Sequence, residues 1–189
     1  MAIKEAARPG GRSARVQEAV HQAVRELQTA KSREQLSVPQ IAHKAGVTPS
    51  TIYRRWGNLA ELLADVSLDR LRPDDEPPHT GSLAGDLQAW GEQYLDEMTS
   101  PTGQCMLSDI MASAERERRE RCRRYGEQIM ACLLERAVTR GETTPSVEDL
   151  LDGVIAPMTY RLLYEPDTAT PARLSHWIAK TLPSSGAPD

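Results

Sequence analysis

The chain has 189 residues, 39% of them hydrophobic and 26% charged, a globular balance that excludes a disordered chain. No apolar run approaches the roughly 20 residues that span a bilayer, and no apolar stretch follows Lys4, Arg8 and Arg12 as it would in a signal peptide, so the sequence reads as cytoplasmic with no membrane partner. The net charge of −4 hides an asymmetry: residues 1–60 hold ten basic and four acidic residues, residues 61–189 thirteen basic and 23 acidic, a basic head (+6) on an acidic body (−10).

Spacing of 3.6 residues between apolar positions predicts helices throughout, with no strand-like alternation. The first runs from about Ser13 to Lys31 on the stripe Val16, Val20, Val24 and Leu27. A short second helix follows Ser37 and ends near Gly46. The third starts at Thr48, with Pro49 at its first position, and ends near Trp56-Gly57. Asn58 caps a fourth, carrying Leu59, Leu62, Leu63, Val66 and Leu71. Arg72 to Gly81, rich in Pro and acid, is a linker. The body adds about five helices: Ser82 to Thr99, one opening at Ser100-Pro101, Glu115 to Arg140, Ser146 to Tyr164, and a last one from Thr170-Pro171 to Leu182. The expected fold is all-α, a three-helix head plus a larger helical bundle, about nine helices in total. Domain limits are 1–57 for arm and head, 58–72 for a connecting helix and 73–189 for the body. Pro157 should kink the helix it sits in.

Nothing points to catalysis. Cys105, Cys122 and Cys132 are odd in number, far apart and without a C-x-x-C. No two of His21, His43, His79 and His176 lie four apart, and there is no Gly-rich phosphate loop or G-x-S-x-G. No enzyme activity, metal or cofactor is expected.

The strongest signal is Val38 to Trp56, VPQIAHKAGVTPSTIYRRW. Ala42 is small where two crossing helices approach, Gly46 supplies the turn, and Val47 and Ile52 pin the second helix on the first, the mechanical needs of a helix-turn-helix. The second helix then presents Thr48, Pro49, Ser50, Thr51, Tyr53, Arg54 and Arg55. Short polar side chains near a helix N-terminus can reach base edges, while Tyr and Arg reach phosphates.

The stretch LSVPQIAHKAGVTPSTIYRRWGNLAELLADV resembles the DNA-binding head of the TetR family of bacterial regulators, through Ile41-Ala42, Ala45-Gly46-Val47 and Thr51 to Trp56. GSLAGDLQAW, ERAVTRGE and VIAPMTYRLLYEP are similar to a common C-terminal subtype. The resemblance implies a homodimeric repressor that binds double-stranded operator DNA and is released by a small-molecule effector held in the body. It also implies a phosphate contact for Ser37, base reading by Thr48, Ser50 and Thr51, a phosphate contact for Tyr53, mixed contacts for Arg54 and Arg55, and a minor-groove arm at Gly11-Arg12. Leu59 stands where the family often has a phosphate-contacting Lys, and Ser32-Arg33 where it has Gly and an aromatic wedge; either the head core packs less well there or Leu36 and Trp56 fill the gap. Two rivals stay open: a ligand-binding dimer that no longer binds DNA, and a small helical enzyme using the body.

The family reading places a four-helix dimer bundle on Leu150, Val154, Met158, Leu162, Leu174, Trp177 and Ile178. Candidate effector-lining residues are Trp90, Tyr94, Met98, Met106, Met111, Tyr125 and Met130, since Met and aromatic surfaces adapt to small ligands. The run Glu115 to Arg124 reads as a self-paired, solvated helix face through Glu115–Arg119, Glu117–Arg121 and Glu120–Arg124.

Overall fold

A computed structural model describes residues 11–30, 32–74 and 76–182. The described residues form nine helices and no strand. In chain order they are α1 (Arg12–Ala30), α2 (Val38–Ala45), α3 (Pro49–Trp56), α4 (Leu59–Arg70), α5 (Leu83–Thr99), α6 (Pro101–Ala112), α7 (Arg116–Thr139), α8 (147–164) and α9 (Pro171–Thr181). Single 3₁₀ turns sit at Arg33–Gln35 and Pro166–Thr168. The chain divides into two compact units, Met1–Val66 and Ser67–Asp189, with the boundary inside α4.

In the first unit the apolar stripe of α1 closes on α2, α3 and the start of α4. Val20, Val24, Ile41, Ala42, Ile52, Trp56, Leu62 and Leu63 are all buried in one cluster. Leu36 and Trp56 both belong to it. Leu59 is half-buried against the same cluster, which turns it from solvent toward the core. Gly46 ends α2 in the left-handed region at φ +66°, where a side chain is strained. The Val47 N–H then reaches back to the Ala42 carbonyl at 3.0 Å and closes the turn that aims α3.

The second unit has its own core, drawn from α5 to α9, with Leu87, Met98, Met130, Leu133, Leu150, Val154, Met158, Leu162 and Leu174 at its centre. Ser82, Ser100, Ser146 and Thr170 cap their helices as their positions predict, each hydroxyl accepting an N–H three residues on. Helix α8 does not break at Pro157. Its α-helical start, Val147–Leu150, widens into a π-helical stretch, Leu151–Ile155, and resumes as Ala156–Tyr164. The Ala156 N–H donates to the Leu151 carbonyl five residues back. That register accommodates a proline, which lacks its own N–H and would press on the carbonyl of Gly153. Gly153 also permits close packing: a Cβ there would lie 2.1 Å from Thr181 Oγ1 on α9.

On α7 the ion pairs differ in register from the acid-first spacing. Glu115 pairs with Arg118, Arg116 with Glu120 and Arg123 with Glu127. Arg119 donates to the Ser113 carbonyl at 2.8 Å.

Candidate functional site

Helix α3 separates two kinds of side chain. Ile52 and Trp56 are fully inside, while Tyr53 is 49% exposed and Arg54 lies out in solvent. At the N-terminus Thr48 occupies the capping position and Pro49 the first turn, but the Thr48 hydroxyl caps no backbone N–H. It lies 2.9 Å from Ser50 Oγ and 3.0 Å from Thr51 Oγ1. Three hydroxyls therefore gather at a helix end whose amides no side chain caps. Hydroxyls donate and accept, so they suit base edges, and the positive end of the helix favours a phosphate. Ser37 caps α2 by position only, its half-buried hydroxyl making no cap bond. The side chain of Arg12 lies outside the described residues.

Arg55 departs from its neighbours. Its guanidinium donates to the Ser13 carbonyl (3.0 Å), the Ser13 hydroxyl (2.8 Å) and Gln17 Oε1 (2.5 Å), and it lies 5.2 Å from the Trp56 ring centre. It braces α3 on α1. Beneath α3 lies a polar cluster that sequence reasoning missed: one oxygen of the buried Asp65 meets His21 Nε2 at 3.0 Å and the Trp56 indole N–H at 2.9 Å. Its signal was present in the sequence as single polar residues, His21 and Asp65, interrupting apolar helix faces.

The second unit contains a cavity of about 550 Å³. Of the candidate effector-lining residues, Trp90, Tyr94, Met111 and Tyr125 line it. Met98, Met106 and Met130 do not; they are buried in the core, because α5, α6 and α7 each turn one apolar side to the centre and another to the cavity. The lining also includes Ile110, Ile129, Leu151, Ile155 and Met158, and the segment around Leu71, Pro77 and Pro78. Arg136 fastens that segment through the Pro77 carbonyl at 2.7 Å. Burial pushes the Tyr94 phenol and the Cys122 thiol up from their usual values. Among the described residues no group of His, Cys, Asp and Glu could hold a metal ion, and no helix is long and apolar enough to cross a membrane.

Two family models match this chain in sequence. Residues 22–66 match "Bacterial regulatory proteins, tetR family", and residues 77–181 match "Tetracyclin repressor-like, C-terminal domain". The chain belongs to the TetR family. It is similar to the HTH-type transcriptional regulator AqdR of Rhodococcus erythropolis, 28% identical over 74% of this chain and 70% of that one. It is also 28% identical to the uncharacterized HTH-type transcriptional regulator YdeS of Bacillus subtilis (strain 168), over 79% of each. A TetR transcriptional regulator from Rhodococcus sp. RHA1 shares the fold, with a TM-score of 0.67 and 13% identity over 92% of this chain and all of the other. The protein is thus a helix-turn-helix transcriptional regulator of a DNA-binding family in which repression and release by an effector are the norm.

Most of the side chains that apolar spacing selects for a dimer bundle are taken up inside the protomer. Leu150, Val154, Met158, Leu162, Leu174 and Ile178 all lie inside this protomer's own core, and Trp177 packs half-buried against it. Met158 faces the cavity instead. Helix α8 turns other residues outward: Tyr160 is 54% exposed, Tyr164 69%, and their rings lie 5.0 Å apart.

Proposed function

We propose that this TetR-family protein is a homodimeric repressor in the cytoplasm, that its two heads read an inverted-repeat operator, and that a small molecule in the body cavity releases the DNA. The observation that carries this reading is the outward face of α3, with the Thr48, Ser50 and Thr51 hydroxyls at its N-terminus and Tyr53 and Arg54 one turn on. Thr48, Pro49, Ser50 and Thr51 face base edges. Ser37, Tyr53 and Arg54 take phosphates, Arg55 sets the angle of α3, and Arg12 reaches the minor groove. Two such helices enter successive major grooves about 34–36 Å apart or a multiple of that. The dimer forms on the outward faces of α8 and α9, around Tyr160, Tyr164, Ala172 and His176. The cavity supplies the effector site, and a coupling of about 1–3 kcal/mol between it and the heads suffices for a switch of several-fold or more.

Selection from random duplex DNA with the purified, ligand-free dimer at about 0.15 M salt tests the reading, since non-specific binding is weak there. Enrichment of an inverted repeat is expected. A pool without any enriched motif would remove operator reading.

A further inference from the structure

The chemistry of the cavity narrows its ligand. Trp90 and Tyr94, one turn apart on α5, stack with ring centres 5.3 Å apart and planes 19° from parallel, and both line the cavity. A ready-made aromatic stack rewards another flat ring, because offset stacking adds to simple area burial. The Tyr94 hydroxyl takes no hydrogen bond from the described residues. Its phenol is pushed up chiefly by burial, with the Glu97 carboxylate acting in the same direction, so it stays a neutral hydroxyl. The charged groups of the lining balance: Arg70, Arg72 and Arg123 against Asp74, Glu76 and Glu97. Most are already committed. Arg72 donates to both oxygens of Asp74 (2.8 and 3.2 Å), Arg123 pairs with Glu127, and Glu76 with Arg136. A charged ligand would leave water for a site with no surplus opposite charge, which is costly. A volume of about 550 Å³ lies in the range of small-molecule sites.

We propose that the cavity binds an uncharged, planar aromatic molecule of two or three rings, its ring laid on the Trp90–Tyr94 stack and one polar atom at the Tyr94 hydroxyl. The proposal rests on the reading of this cavity as the effector site.

Matched probes separate the elements of the proposal without DNA. N-phenyl-1-naphthylamine and 1-anilinonaphthalene-8-sulfonate share a ring system and differ by one sulfonate. The neutral probe is expected to bind one per chain and at least about tenfold more tightly than the anion. Equal or tighter binding of the sulfonate overturns neutrality. In displacement of the neutral probe, 2-naphthol is expected to outcompete its saturated counterpart decahydro-2-naphthol by about fivefold or more. Equal competition overturns the aromatic preference. Trp90→Leu should abolish that preference and Trp90→Phe should keep it, with helical content unchanged in both; a preference that survives Trp90→Leu removes the stack from the proposal. Tyr94→Phe should weaken 2-naphthol and leave naphthalene unaffected, and equal effects on both would remove the hydroxyl contact. Release of the selected operator by the same compounds is measured separately. A neutral probe that binds but leaves the DNA complex intact upholds the ligand class and counts only against the effector reading.

Discussion

The indole N–H of Trp56, the last residue of α3, donates at 2.9 Å to the same Asp65 oxygen that meets His21 Nε2 at 3.0 Å. One carboxylate in the middle of α4 therefore ties together α1 and the end of α3. The site is buried, so its hydrogen bonds do not compete with water. Asp65→Ala leaves the indole N–H without its acceptor, a loss of about 1–3 kcal/mol. Urea unfolding should show that loss, and operator affinity should fall with it while probe binding in the body cavity stays unchanged. A variant of full stability would show that packing alone holds α3.

Arg54 and Arg55 are neighbours in different surroundings. Arg54 stands in solvent on α3, whereas Arg55 is tied to Ser13 and Gln17 of α1. Arg54→Ala should leave stability unchanged and reduce the slope of log affinity against log salt by about one unit, the signature of a lost phosphate contact. Arg55→Ala should cost stability by roughly 0.5–1.5 kcal/mol, the range of a lost hydrogen-bonded tie. Titrations at three salt concentrations, alongside thermal unfolding, distinguish the two. The same slope change in both variants, with no loss of stability in either, would count against the brace.

Tyr53 is the largest side chain that α3 turns to solvent. Tyr53→Ala should weaken binding to all duplex sequences alike, by about tenfold, because a phosphate contact carries no sequence information. Light scattering should still report a dimer. A change in the selected motif rather than in overall affinity would move Tyr53 to the base-reading set.

The head was legible in the sequence because its features are local. Ala42, Gly46 and Ile52 must be small, turn-forming and apolar at fixed spacing, and each does what its position requires. Helix caps were legible for the same reason at Ser82, Ser100, Ser146 and Thr170. The body was harder, since an apolar residue at helical spacing has three possible surroundings. Met98 and Met130 went to the core, Met111 to the cavity, and Met158 to both core and cavity. Periodicity marks the apolar side of a helix but not what lies opposite it. Arg55 and Asp65 were illegible as a brace and a tie because their partners, Ser13, Gln17 and His21, lie 38 to 44 residues away on another helix.

The proposed dimer face follows from the same distinction. Met158 is fully buried in its own protomer, so Met158→Asp should unfold the body, an unpaired charge in an apolar core costing several kcal/mol. Tyr160 and Tyr164 are exposed neighbours on the outward side of α8. Replacing both with Asp should give folded monomers with intact probe binding in the cavity. Light scattering and circular dichroism together decide the matter, and a dimer of unchanged mass would relocate the interface.

Acid should loosen the second unit through Asp86. Burial pushes this carboxyl up, but the Thr80 N–H (2.5 Å), the Thr80 hydroxyl (2.8 Å) and Arg140 (3.1 Å) together outweigh burial and hold it below its usual value. Glu142 is held low by the Leu83 N–H at 2.9 Å and by Arg140 at 2.6 Å. A carboxyl whose folded value lies below its unfolded one binds fewer protons when folded. Its contribution is complete above the unfolded carboxylate range near about pH 4 and is lost as pH falls through the depressed folded values. Asp86→Asn should therefore be less stable than the parent at pH 7, by about 1–3 kcal/mol for a weakened buried hydrogen-bond set. The gap should narrow as pH falls below about 4, because the parent then gives up what the variant never had. Urea unfolding between pH 7 and pH 3 measures both effects. A gap that stays constant across that range would show that Asp86 serves through shape and not through charge.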